Sequence, residues 1–192
     1  ISGSGHTPYD WDGDNDGNFG EYSVDGIDLS LEVYVGRLSA TSTSAMSSLV
    51  SDILNYEKNP PSGGWYNRSV LAGAYSNYVT RTSSATDEAK LKEAIRKDYM
   101  DNGNYINYTL YEGSGIAPSS YPKNASLTTS NLVSAISSGA FMVNLAGHGS
   151  NTGIFRRIWS SDSNNDGYCD SGEYYDTSYF TTSANPSNSG KK

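Results

Sequence analysis

The sequence predicts one α/β domain: a mostly parallel sheet flanked by helices. Three observations carry that prediction. Strand-like runs alternate with helix-like runs from about residue 31 to residue 146, a pattern that implies parallel strands joined by right-handed crossovers. The run Ala140–Phe141–Met142–Val143–Asn144–Leu145–Ala146 lies between Gly139 and Gly147 and reads as a buried strand. The chain, at 192 residues, is long enough to bury a core of this kind.

Taken in order, residues 1–30 are rich in Gly and Asp and read as a ligand-bearing loop. Leu31–Leu38 reads as a strand rich in Val and Tyr. Thr43 is placed to cap a helix carrying Met46, Leu49, Val50, Ile53 and Leu54 on one face, and Asn59–Pro60–Pro61 stops it. Ser69–Tyr75 is the next strand, followed by a polar loop at 77–84. Thr86 is expected to cap a helix running to about Met100, with Leu91, Ala94 and Ile95 toward the core. Asp87 and Glu88 then fall in its first turn, where the helix dipole favours carboxylates. Tyr105–Tyr111 is a strand of β-branched and aromatic residues. A loop fills 112–125. Thr128 or Ser126 caps a short helix with Leu132, Val133 and Ile136, which Gly139 ends. The division expected is a loop region at 1–30, a core at 31–159, and a second acidic loop with a tail at 160–192.

Composition narrows the function. The net charge is −8, which argues against nucleic acid, whose phosphates need a basic surface, and suits hard cations. No run of 18 apolar residues exists to span a membrane. Cys169 is the single cysteine, so no internal disulfide framework is possible. Asn67, Asn107 and Asn124 each open an Asn-x-Ser/Thr sequon, which chance explains about as well as glycosylation in a chain this rich in Asn, Ser and Thr. The first residue is Ile1, and the expectation is a processed, extracellular fragment.

Two acidic stretches fit the calcium-loop pattern. Asp162, Asn164 and Asp166 stand at positions 1, 3 and 5. Gly167 at 6 permits the sharp turn, the Tyr168 carbonyl lies at 7, and Glu173 at 12 can bind with both oxygens. The flanks do not read as paired amphipathic helices, so this is a calcium loop without an EF-hand. The earlier stretch admits two registers. Aligning on Asp16–Gly17 puts Asp12, Asp14 and Asp16 at 1, 3 and 5 and Asn18 at 7, with Glu21 two residues early. Starting at Asp10 puts Glu21 at 12 but Asn15 where Gly belongs. The first is preferred because the Gly turn is the stricter requirement, and Asp25 and Asp28 can add ligands.

Ala140–Ala146 runs into Gly147–His148–Gly149–Ser150. A histidine at a strand's carboxyl end, between glycines, offers a general base beside an exposed Gly149 N–H that can hold an oxyanion. The same residues also fit a histidine that merely completes a turn.

Glu32–Val33–Tyr34–Val35–Gly36–Arg37–Leu38–Ser39–Ala40, followed by the helical run ending Leu54–Asn55–Tyr56–Glu57–Lys58, resembles the strand–Gly-Arg–helix segment of the gingipain family. These are cysteine endopeptidases whose catalytic His lies in a similar Gly-His-Gly-Ser turn. The order of elements between the two stretches also matches, from about Tyr9 onward. The resemblance implies a three-layer caspase-like fold, a protein or peptide substrate, and a Cys–His dyad containing His148. It also implies a specificity acid at Asp87, with Glu88 as fallback, and cleavage after Lys or Arg. Lys191–Lys192, in an exposed Ser/Gly/Asn-rich stretch, fits self-processing after a basic residue.

The family pattern departs in two places. A further strand ending in Ala-Cys is absent, and Cys169 falls at position 8 of the calcium loop, where a small buried apolar residue is usual. The nucleophile is therefore expected on a downstream partner chain of the same precursor, with an N-terminal chain as a further partner. The family's acidic residue that orients the histidine is replaced by Tyr75. Tyr75 or a backbone carbonyl is left to take the imidazole N–H. The competing readings are a calcium-binding adhesion module without catalysis and an inactive peptidase homologue.

Overall fold

The computed structural model describes residues 11–21, 24–25, 35–101 and 103–184. Two compact units divide at Asp52 and Ile53. Among the described residues, no helix is long and apolar enough to cross a membrane.

In the first unit, Trp11–Glu21 and Val24–Asp25 form the first acidic loop. The predicted strand at 31–38 falls partly outside the described residues, and its described part, Val35–Leu38, is irregular. Val35 is 84% exposed and Gly36 has no side chain to pack, so this stretch has no buried face to favour a strand. Helix α1, Thr43–Lys58, of which residues 43–52 fall in this unit, begins as the sequence suggests but is capped one residue earlier: Ser42 Oγ accepts the Ala45 N–H at 3.1 Å. Its apolar stripe forms, yet none of its residues is buried.

The second unit is a layered α/β structure. Strand β1, Arg68–Gly73, is central. The short β2, Tyr75–Asn77, pairs antiparallel with β3, Thr86–Asp87. Helix α2 covers Ala89–Ile95 and continues as a π-turn, Arg96–Met100. Strand β4, Ile106–Tyr111, the two-residue β5, Ala125–Ser126, helix α3, Thr129–Ser137, and β6, Met142–Ala146, follow. The parallel sheet has the order β5-β4-β1-β6. Thr128 caps α3, its hydroxyl accepting the Asn131 N–H, and Gly139 at φ 86° ends that segment. Asn124 is structural: its Oδ1 accepts from the Thr109 N–H and hydroxyl.

Alternation along the strands sets the layers. Val70 and Ala72 of β1 point to one face, where Leu110, Leu127, and Leu132 and Ala135 of α3 complete the apolar core. Ser69, Leu71 and Gly73 point to the other face, under α2. There a Cβ on Gly73 would come within 2.7 Å of the Ala89 nitrogen, so only glycine lets the start of α2 approach the strand end.

The face α2 presents differs from the expected one. Leu91 is 51% exposed and Ala94 is exposed, whereas Lys92 and Glu93 are buried. Asn144 lies opposite Leu71 and so faces α2, where its Oδ1 accepts from Lys92 Nζ. Glu93 accepts from the Tyr111 hydroxyl at 2.8 Å and from Arg96 at 2.8 and 3.1 Å. Burial pulls the Lys92 pKa down. Burial pushes the Glu93 carboxyl up, but Arg96 and Tyr111 outweigh it and the net shift is downward. Polar residues on the sheet, not helical periodicity, decide which side of α2 turns inward. Asp87 and Glu88 precede the helix instead of forming its first turn.

Strand β6 is less buried than its composition suggests. Val143 is 38% exposed, and Phe141 just before the strand 41%; β6 is an edge strand among the described residues. An antiparallel sheet of β7, His148–Gly149, β8, Gly153–Trp159, and β9, Tyr174–Thr181, has no counterpart in the sequence-based expectation.

Candidate active site

Chemistry-bearing residues gather at the carboxyl ends of the parallel strands, the usual place in open α/β sheets. The Ala74 N–H donates to the Ala146 carbonyl at 3.0 Å, so the segments leaving β1 and β6 stay side by side. The first leads to Ser76 and the second to His148.

Glycine is required just before the histidine. A Cβ on Gly147 would lie 2.5 Å from the Phe155 carbonyl oxygen and 3.2 Å from the Tyr179 hydroxyl. That hydroxyl is buried and makes no hydrogen bond among the described residues. The exposed His148 places Nε2 2.5 Å from the Ser76 carbonyl oxygen. A carbonyl only accepts, so Nε2 carries the proton and Nδ1 keeps the lone pair. Of the two acceptors left open by the sequence, the structure shows the backbone carbonyl. Ser76 itself carried no signal in the sequence.

Gly149 pairs with Ile154, while the Ser150 N–H donates to the Gly153 carbonyl at 2.8 Å. Alternation in an antiparallel ladder makes Gly149–Ile154 a non-hydrogen-bonded pair. The Gly149 N–H therefore points away from β8, and the space around its Cα is open.

The two acids at the start of α2 are both engaged. Asp87 Oδ1 accepts from the Ala89 N–H at 3.0 Å and Oδ2 from the Ser119 hydroxyl at 2.6 Å. Burial, followed by the adjacent Asp87 charge and hydrogen bond, pushes the Tyr75 phenol up to about 12. Glu88 Oε1 accepts from the Ser76 hydroxyl at 2.7 Å. Beyond the end of β4, the fully buried Glu112 accepts from Arg156 at 2.6 and 2.9 Å and from the N–H groups of Gly113 and Ser114. Ser119, Glu112 and Arg156 were not singled out by the sequence; a Glu directly after an apolar strand was the only available signal.

Cys169 is 5% exposed, packs with Tyr78 and Trp159, and donates its backbone N–H to the Val79 carbonyl. Burial pushes its thiol pKa up, and the Glu173 charge adds to the shift. A thiol of that kind is a poor nucleophile.

The acidic loops share one backbone design. Asp12 accepts from the Asp16 and Gly17 N–H groups at 2.9 and 3.2 Å. Asp162 accepts from those of Asp166 and Gly167 at 3.2 and 3.0 Å. Asp14 and Asn164 accept from the same Asp16 and Asp166 N–H groups. Asp16 accepts from the Asn18 N–H, and Asp166 from that of Tyr168. Asn15 and Asn165 have φ 61° and 57°, and Gly17 and Gly167 have φ 85° and 77°. This agreement favours the register that starts at Asp12.

Each loop is closed by an acid. Glu173 accepts from the Ser163 and Asp170 N–H groups at 2.7 and 3.0 Å. In the first loop Asp25 takes that place, accepting from Gly13 and Glu21 N–H at 3.0 and 2.7 Å, and it is 2% exposed. Asp28 lies outside the described residues.

Asp12, Asp14 and Asp25 can bring one oxygen each within 4.8 Å of one another, as can Asp14, Asp16 and Glu21. Loss of hydration, then the charges of Asp16 and Asp25, raise the Glu21 pKa. Among the described residues, no three acids of the second loop gather so closely. The residue at its third position is the neutral Asn164, and Arg81 pairs with both Asp166 and Asp170. Both loops supply the hard oxygen donors that calcium requires, and the first concentrates more charge.

Comparison with curated proteins and with solved structures finds no significant match. The family profile for peptidase family C25 matches residues 9–180, a span that includes both acidic loops, the parallel sheet and the His148 turn. The chain belongs to peptidase family C25, the gingipain family of cysteine peptidases.

Proposed function

We propose that this chain supplies the histidine of a secreted, calcium-stabilised cysteine endopeptidase that cleaves after Lys or Arg. The observation that carries the reading is the His148 imidazole anchored through Nε2 on the Ser76 carbonyl, beside a Gly149 N–H directed off its ladder. Nδ1 takes the thiol proton, and the thiolate attacks the scissile carbonyl carbon. The Gly149 N–H donates to the oxyanion. The imidazolium then gives its proton to the leaving amine, and Nδ1 next activates the water that hydrolyses the thioester.

Burial of Cys169 supports a nucleophile from outside these residues. The edge strand β6 has a side without a partner among the described residues, suited to one more parallel strand. We assign that strand to a downstream Cys-bearing chain of the same precursor, alongside an N-terminal chain. Calcium is assigned to Asp12, Asp14, Asp16 and Asp25, with the Asn18 carbonyl and Glu21 nearby. A second ion is assigned to Asp162, Asn164, Asp166, the Tyr168 carbonyl and Glu173. The ions stiffen the loops and take no part in the bond-breaking step.

Of the two acids, Asp87 is assigned to the substrate's cationic side chain, at the position the family resemblance points to, with Glu88 as the fallback. Its half-buried carboxylate, steadied by Ser119 and the Ala89 N–H, gains from a cationic partner. Peptides differing only at the residue before the cut test this. Asp87→Ala should lower kcat/KM for Lys and Arg substrates by about 10²-fold, the loss expected when a charged hydrogen-bonded partner is removed, with little change for Leu. Equal turnover of Lys, Arg, Leu and Asp peptides by the unmodified enzyme would contradict the assignment.

A further inference from the structure

The Ser76 carbonyl is available to His148 because of an irregularity in the β2–β3 pairing. Tyr75 pairs with Asp87 and Asn77 pairs with Thr86, so the register slips by one residue between them. Ser76 is the extra residue of a bulge, and a bulged residue leaves the ladder. Its carbonyl turns to His148 Nε2, while its hydroxyl donates to Glu88 Oε1 at 2.7 Å. Glu88 is in turn fixed by its own backbone, whose N–H donates to the Ala74 carbonyl at 3.0 Å. The bulged residue is thus held at both ends of its side of the hairpin, by the ladder and by one carboxylate.

We propose that Glu88 is a positioning residue: by holding the Ser76 hydroxyl it locks the bulge so that the Ser76 carbonyl selects the Nε2–H tautomer of His148 and aims Nδ1 at the thiol. A carboxylate is used at one remove, through a serine and its carbonyl, in place of a direct carboxylate–imidazole contact. This rests on His148 being the base.

The test uses the full-length active enzyme with Ser76→Ala, Glu88→Ala, Glu88→Gln and the Ser76→Ala/Glu88→Ala pair, beside His148→Ala. Imidazole nitrogen shifts of His148 are read by NMR in parallel with kcat and KM. In the unmodified enzyme neutral His148 should be the Nε2–H tautomer. Ser76→Ala and Glu88→Ala should each lower kcat by about 10- to 100-fold, the loss expected for a misplacement of a catalytic group by up to about 1 Å, with KM within about twofold. Both should give mixed tautomers. The double variant should be no worse than either single one, since the two act as a unit. Glu88→Gln should recover most of the rate, because its amide oxygen still accepts from Ser76.

A Glu88→Ala variant with raised KM and unchanged kcat would make Glu88 a substrate contact and overturn the proposal. Normal kcat and a pure Nε2–H tautomer in all three Ser76 and Glu88 single variants, with His148→Ala inactive, would overturn the positioning role alone. Full activity in His148→Ala would remove the base assignment itself.

Discussion

His148→Ala is expected to lower kcat by about 10²- to 10⁴-fold, the range for loss of a positioned acid–base group. The imidazole serves three proton transfers in the proposed cycle, and the described groups beside it at the β2–β3 hairpin are engaged elsewhere. Ser76 offers a carbonyl, Asp87 is held by Ser119 and Ala89, and Glu88 by Ser76. The side chain is exposed, so its removal should change stability by no more than about 0.5 kcal/mol, as for other surface substitutions. The contrast between a large rate loss and an unchanged melting curve separates chemistry from folding. A variant retaining near-normal turnover would refute the dyad.

Removal of calcium is expected to produce the largest stability effect. A ligand bound only by the folded state adds about 2.7 kcal/mol at a hundredfold excess over Kd. For a chain of this size that corresponds to a fall of about 5–10 °C in melting temperature when excess chelator is added. Loss of hydration, then the charges of Asp16 and Asp25, raise the pKa of Glu21 in the first loop. Asp25, which closes that loop on Gly13 and Glu21, should matter more than Glu21. Asp25→Asn should weaken the first site about tenfold or more by loss of a ligand charge, and Glu21→Gln less. Isothermal titration with calcium measures both. A melting curve indifferent to chelator, with no metal found by elemental analysis, would contradict the assignment.

Much of the architecture was legible in the sequence because it rests on strong local signals. The apolar runs at 69–75, 105–111 and 140–146 became β1, β4 and β6. The Asp-x-Asn-x-Asp-Gly spacing became a loop with the expected turn at Gly167. The failures have physical reasons. Periodicity pointed Leu91 and Ala94 inward, but Asn144 on the sheet and Tyr111 at its end recruit Lys92 and Glu93, and tertiary hydrogen bonding overrides the apolar stripe. In the preferred register Glu21 comes two residues early, and the carboxylate that reaches the Gly13 N–H is Asp25, which the sequence offered only as an added ligand. Ser76 was invisible because its role depends on a backbone carbonyl, which every residue carries. The His148 turn was legible because its two glycines and strand-end position are sequence features; the group that orients it was not, since it comes from a bulge.

The central claim is that His148 activates a thiol that is not Cys169. The direct measurement is covalent labelling of the full-length active enzyme with a peptidyl acyloxymethyl ketone bearing Lys or Arg, followed by mass mapping of the modified residue. The account predicts one label on a cysteine outside these 192 residues, much slower labelling in His148→Ala, and an unmodified Cys169. A label on Cys169 would contradict it.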